Sequence, residues 1–93
     1  MKKKNQILGD DFGINLNRVL RFLSFRPRSE KEIRDYLNNK QVNPLVSQKI
    51  IDKLVENKFL NDLEFAKWWI EQRTLTTPRA WRIIKIELKQ KGI

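Results

Sequence analysis

Cysteine and histidine are both absent from this chain of 93 residues. That inventory excludes a disulfide framework, a Cys/His zinc site, a thiol nucleophile and a histidine-based catalytic triad. It also points to a reducing compartment, so a cytoplasmic protein is expected. Long apolar runs are missing too: none approaches the roughly 18 residues of a membrane span. The opening MKKKNQILGDDFGINL is basic but lacks the continuous apolar core and small-residue cleavage site of a signal peptide. There is no Gly-rich phosphate loop, and the carboxylate pairs Asp10–Asp11 and Glu30/Glu32 lie in an expected tail and at a helix start rather than in a pocket. A non-enzyme without cofactor or metal, and without a membrane partner, is the expectation.

What is present is positive charge and aromatic surface. The net charge is +9, which favours a polyanion, an acidic protein groove or an anionic membrane surface as partner, and charge alone does not choose among them. Hydrophobic residues make up 40% of the chain, enough for one small domain or slightly more that buries roughly 60 to 65% of its unfolded surface. Three tryptophans and five phenylalanines are hard to hide in so thin a core.

No stretch alternates with period two, so the fold class expected is all-α. Residues 1–14 show no periodicity and are expected as a flexible arm of mixed charge. Leu16, Val19, Leu20 and Leu23 then follow helical spacing over 16–25, a run that Arg26-Pro27 ends. SEKE reads as a capping box, with Ser29 as N-cap and Glu32 reaching back, ahead of Ile33, Tyr36 and Leu37. Asn43-Pro44 opens a third helix carrying Val46, Ile50, Ile51, Leu54 and Val55. Asn61 caps a fourth, with Glu64 at the box position and Phe65, Ala66, Trp69 and Ile70 on one face; Trp68 lies off that face. Thr77-Pro78 is expected to open a fifth, with Trp81, Ile84 and Leu88 aligned and Gly92 as the left-handed terminator before Ile93.

These helices repeat. At an offset of 51 the second falls on the fifth, matching Pro27 to Pro78, Arg28 to Arg79, Ile33 to Ile84, Leu37 to Leu88 and Lys40 to Lys91. At an offset of 47 the first falls on the fourth, matching Val19 to Ala66, Phe22 to Trp69, Leu23 to Ile70 and Arg26 to Arg73. The domain reading is therefore a first three-helix unit over 15–58 and the first two helices of a second over 59–93, in tandem. A third helix for the second unit is expected from a longer chain, a partner or a second copy, so self-association through the exposed face of the last helix is a possibility the pattern raises.

RPRSEKEIRDYL, FLNDLEFAKWWIEQR and IELKQKGI, in this order and spacing, resemble the RecX family of recombination regulators over about 75 residues, from Leu20 to Ile93. The resemblance implies tandem three-helix repeats, no enzymatic activity, and docking in the helical groove of a RecA-type recombinase filament, limiting recombination and SOS co-protease activity. Lys58 departs from the family's usual glycine before FLND, and Ala80 from another; Trp81 and Ile86 stand where the family tends to be polar.

The candidate partner or nucleic-acid surface is the basic side of the last two helices. From Ala66 onward, Lys67, Arg73, Arg79, Arg82, Lys85, Lys89 and Lys91 face only Glu71 and Glu87, a local excess of +5. Arg79, Arg82, Lys85 and Lys89 are three or four apart and form one stripe; an ordinary solvated helix face would look the same. Arg26 and Arg28 flank a tight turn beside a helix N-terminus, where an anion site is conceivable. Trp68, off the core face, is expected at a partner or a base, with packing between repeats as the alternative. Other functional readings are a direct single- or double-stranded DNA-binding module and a non-catalytic helical adaptor or oligomer.

Overall fold

A computed structural model describes residues 2–76 and 80–93 as five helices, with no strand among the described residues. They are α1 (Lys2–Phe25), α2 (Glu30–Asn39), α3 (Pro44–Glu56), α4 (Asp62–Thr76) and α5 (Trp81–Gln90). The all-α, tandem-unit reading is correct. The first unit packs α3 against both α1 and α2, and the second pairs α4 with α5.

The capping chemistry forms where the sequence places it. Ser29 Oγ accepts from the Glu32 backbone N–H at 3.1 Å while the Glu32 carboxylate accepts from Ser29 N–H at 3.0 Å. Asn43 accepts from Leu45 N–H, and Pro44 fills the first turn of α3, where no intrahelical partner for its N–H is needed. Asn61 accepts from Glu64 N–H to start α4.

Two helix starts differ from expectation. α1 begins at Lys2, so residues expected as an arm belong to its first turns. Nothing in that stretch breaks a helix: there is no proline, and Gly13 faces open space. Phe12 continues the row of Leu16, Leu20 and Leu23 onto the first core. α5 begins at Trp81 after Ala80, which makes no side-chain cap bond; Thr77-Pro78, where the opening is expected, lies outside the described residues. Ala80 is the repeat equivalent of Ser29, and Ile83 of Glu32, so the second unit keeps the helix start without the reciprocal side chains that secure it in the first.

The first core is Val19, Ile33, Leu37, Val42, Ile50, Ile51, Leu54 and Leu60, all buried. The second, among the described residues, has Phe65, Ile84 and Leu88, with Ala66, Trp68, Trp69 and Ile70 packed against them. Equivalent positions do equivalent work: Ile33 and Ile84 are buried, as are Leu37 and Leu88. Phe22 stacks on Tyr36 with ring centroids 4.3 Å apart, and at the matching positions Trp69 Nε1 donates to Glu87 at 3.1 Å. Trp81 does not join Ile84 and Leu88 inside; it is 54% exposed.

Three helices end in the same left-handed device. After α2, α3 and α5 the residues Gln41, Lys58 and Gly92 have φ of 58°, 64° and 86°. The next N–H, of Val42, Phe59 or Ile93, then donates back five residues to the carbonyl of Leu37, Leu54 or Leu88. Only Gly92 adopts this φ without steric cost. Replacing Lys58 by glycine should therefore raise stability by about 1 kcal/mol, read as a higher urea midpoint at unchanged slope; an unchanged midpoint would refute the strain. Gly92 has a second reason to be glycine. A Cβ there would sit 2.7 Å from Lys31 Cβ, where α5 ends against α2. Gly92→Ala should cost about 2 kcal/mol from the left-handed conformation and the contact together, checked by thermal unfolding.

Candidate partner-binding surface

The turn from α1 into α2 meets the aromatic face of α4 and the end of α5. Arg26 donates to both oxygens of Glu32, at 2.8 and 3.3 Å, and its guanidinium lies 5.7 to 6.0 Å from the ring centres of Phe65, Trp68 and Trp69. Lys91, from just beyond α5, donates to the same carboxylate at 2.8 Å and stands 4.9 Å from the Trp69 ring. Glu32 thus holds a cation from each unit. Burial pushes its carboxyl up, but hydrogen bonds from Arg26, Lys91 and the Ser29 N–H outweigh that and leave it below the ordinary carboxylate range. A second pair closes the hairpin of the second unit: Arg73 Nε and Nη2 donate to Glu87 at 3.2 and 3.1 Å, and its guanidinium stands 5.8 Å from the Trp69 ring centre.

Arg28 is also engaged within the chain. It lies 3.7 Å from the Phe22 ring centre and donates to the Phe22 carbonyl. Burial and the neighbouring Arg26 charge lower its pKa, with Glu32 opposing. Beside it opens a cleft of about 330 Å³ lined by Arg28, Lys58, Phe59, Phe65 and Trp68 among others.

The eight residues singled out in the sequence therefore separate. Arg26, Arg28, Arg73 and Trp68 are partly buried and engaged within the chain: Arg26 and Trp68 meet between the units, Arg28 is held on Phe22 in the first, and Arg73 on Glu87 in the second. Trp68 does not point away from the fold; it packs 6.0 Å from Phe65 and 6.2 Å from Trp69 by ring centre, between the units, because the turn carrying Arg26 covers that side of α4. Arg82, Lys85 and Lys89 are exposed on α5 with no carboxylate in ion-pair reach among the described residues. Arg79 lies outside the described residues. The residue that sequence reasoning missed is Glu32 as a junction: its capping role was legible, but nothing in the one-dimensional pattern marks a bond to Lys91, 59 residues away. The matched Arg26 and Arg73, each ending its leading helix, were the available signal.

No group of acidic side chains suited to a metal ion occurs among the described residues, and none of their helices is long and apolar enough to cross a membrane. The fold and surface define a helical-repeat protein whose conspicuous exterior feature is a basic ridge rather than a pocket. Residues 16–54 match the family description "RecX, first three-helix domain". The chain is 42% identical over 78 residues to a protein named "Regulatory protein RecX" from Listeria welshimeri serovar 6b, covering 84% of this chain and 29% of that protein. To the protein of the same name from Bacillus subtilis (strain 168) it is 39% identical over 85 residues, covering 91% and 32%. The crystal structure of RecX from Lactobacillus salivarius superposes with a TM-score of 0.85 at 29% identity, covering 91% of this chain and 55% of that one. The chain belongs to the RecX family, and it spans about 30% of the length of these curated relatives.

Proposed function

We propose that this chain contributes to a regulator of a RecA-type recombinase by docking on the recombinase filament and restraining recombination and co-protease activity. Family membership supports the regulator reading, and the observation that carries docking is the ridge of Arg82, Lys85 and Lys89, unpaired among the described residues, on a chain of net charge +9. Uncompensated cations on a rigid helix speed encounter with an acidic surface and fix its orientation. Inhibition follows if the bound chain blocks access to the groove or the subunit rearrangement that activity needs.

The test is binding of the purified chain, over a salt series, to three immobilised targets: recombinase filament on single-stranded DNA, the DNA alone, and free recombinase. The expected result is preference for the filament. Equal affinity for bare DNA, with log affinity falling by about 0.7 to 0.9 per neutralised phosphate against log salt, would replace this reading with a nucleic-acid module.

A further inference from the structure

The repeat makes an internal comparison possible, because α2 and α5 occupy equivalent places. On α2 the cations are compensated: Lys31 pairs with Asp35 at 2.8 Å, Arg34 with Glu30 at 3.2 Å, and Glu32 receives Arg26 and Lys91. On α5 the cations remain and the acids do not. Arg82 replaces Lys31 while Ile86 replaces its partner Asp35; Lys85 replaces Arg34 while Trp81 replaces Glu30; Ile83 replaces Glu32. The remaining acid of α5, Glu87, is turned inward onto Arg73 and Trp69. All three acids of α2 have thus become apolar in α5, at positions 54%, 36% and 51% exposed for Trp81, Ile83 and Ile86.

We infer that the outward face of α5, formed by Trp81, Arg82, Ile83, Lys85, Ile86 and Lys89, is a docking surface for an acidic amphipathic helix of a partner protein. Arg82, Lys85 and Lys89 are spaced three and four apart and run as a ridge along the helix, with Ile83 and Ile86 on one flank and Trp81 on the other. A partner helix that alternates carboxylates with aliphatic side chains supplies what α5 lacks on both counts, returning a counter-charge to each cation and covering the apolar flanks. A nucleic acid would match the cations but leave two isoleucines against phosphate or sugar. A second α5 would set cation against cation. This surface deepens the proposed function by naming the chemistry of the partner's contact, and it rests on the reading of the chain as a protein-binding regulator.

The decisive variant writes the α2 residues into α5: Trp81→Glu, Ile83→Glu and Ile86→Asp together. The replaced positions are at least a third exposed and the new residues restore pairs that α2 already tolerates, so circular dichroism and melting should stay close to the parent. Leu45→Glu, at a 75% exposed position on α3, is the control. Fluorescence anisotropy of a labelled synthetic helix with leucine on one face and glutamate on the other should show binding by the parent and by the control, and about tenfold or greater weakening in the triple variant. The same helix bound equally by parent and triple variant, or by neither, overturns the inference. So does preferential binding of oligothymidylate that the triple variant abolishes, displacement of the acidic helix by a peptide carrying the α3 sequence, or self-association of the parent that the triple variant removes. A parent that binds the acidic helix but not the recombinase filament would sink the proposed function and leave this surface standing.

Discussion

Phe65→Ala should melt the second unit ahead of the first. Phe65 is 1% exposed and, among the described residues, is the largest fully buried side chain and shares its core with just Ile84 and Leu88 as buried residues. Truncating a buried phenylalanine costs about 3–5 kcal/mol, and a core of three residues has little with which to close the cavity. The loss spreads further, since Trp68 and Trp69 pack on the ring at 6.0 Å and Arg26 stands over it. All three tryptophans fall in the second unit, so tryptophan fluorescence reports α4 and α5 while far-ultraviolet circular dichroism reports all five helices. In the variant the fluorescence transition should move to lower denaturant and separate from the dichroism transition. Coincident transitions at the parent midpoint would show that the second core does not depend on this ring. The same assay measures the tryptophan pair: both are half-buried against Phe65, so each alanine variant should destabilise, with Trp69 costing more because its indole N–H also bonds Glu87.

Glu32→Gln should be the most damaging polar substitution, at about 3 kcal/mol. It keeps the shape but removes the charge that Arg26 and Lys91 share, and the side chains of that trio are only 15%, 28% and 26% exposed. Removing one partner of a largely buried pair leaves the others uncompensated, and two cations are stranded here. The effect carries a pH signature. The folded-state pKa of Glu32 is depressed, so its contribution to stability is fully present above the ordinary value of 4.5 and is lost as pH falls through the folded value below it. The parent should therefore lose stability on acidification below about pH 4.5, and Glu32→Gln should lose less over that interval. An identical acid dependence in both would mean other carboxylates carry it. Because the ions come from both units, the variant should also uncouple them, making the two optical transitions separate at neutral pH.

Much of the architecture was legible because helix formation is local. Capping boxes, N-terminal prolines and apolar spacing each act within one or two turns, so Ser29, Asn43 and Asn61 marked three starts and the leucine-isoleucine rows marked the faces. The repeat was legible for the same reason: two offsets placed Ile84 on Ile33 and Leu88 on Leu37, and both pairs are buried. For α5 the repeat carries the start, because its N-cap Ala80 falls on Ser29, while Thr77-Pro78 lies outside the described residues.

The sequence by itself determined the helical class, the repeat and the excess of positive charge, since these depend on side-chain identity and on separations of a few residues. Which cations remain free was decided only by tertiary structure. Arg26, Arg73 and Lys91 look no different in sequence from Arg82, Lys85 and Lys89. The first three are neutralised by Glu32 and Glu87 across 6, 14 and 59 residues of chain, and the others are not, because an ion pair is made by distance in space and the packing of two units sets that distance.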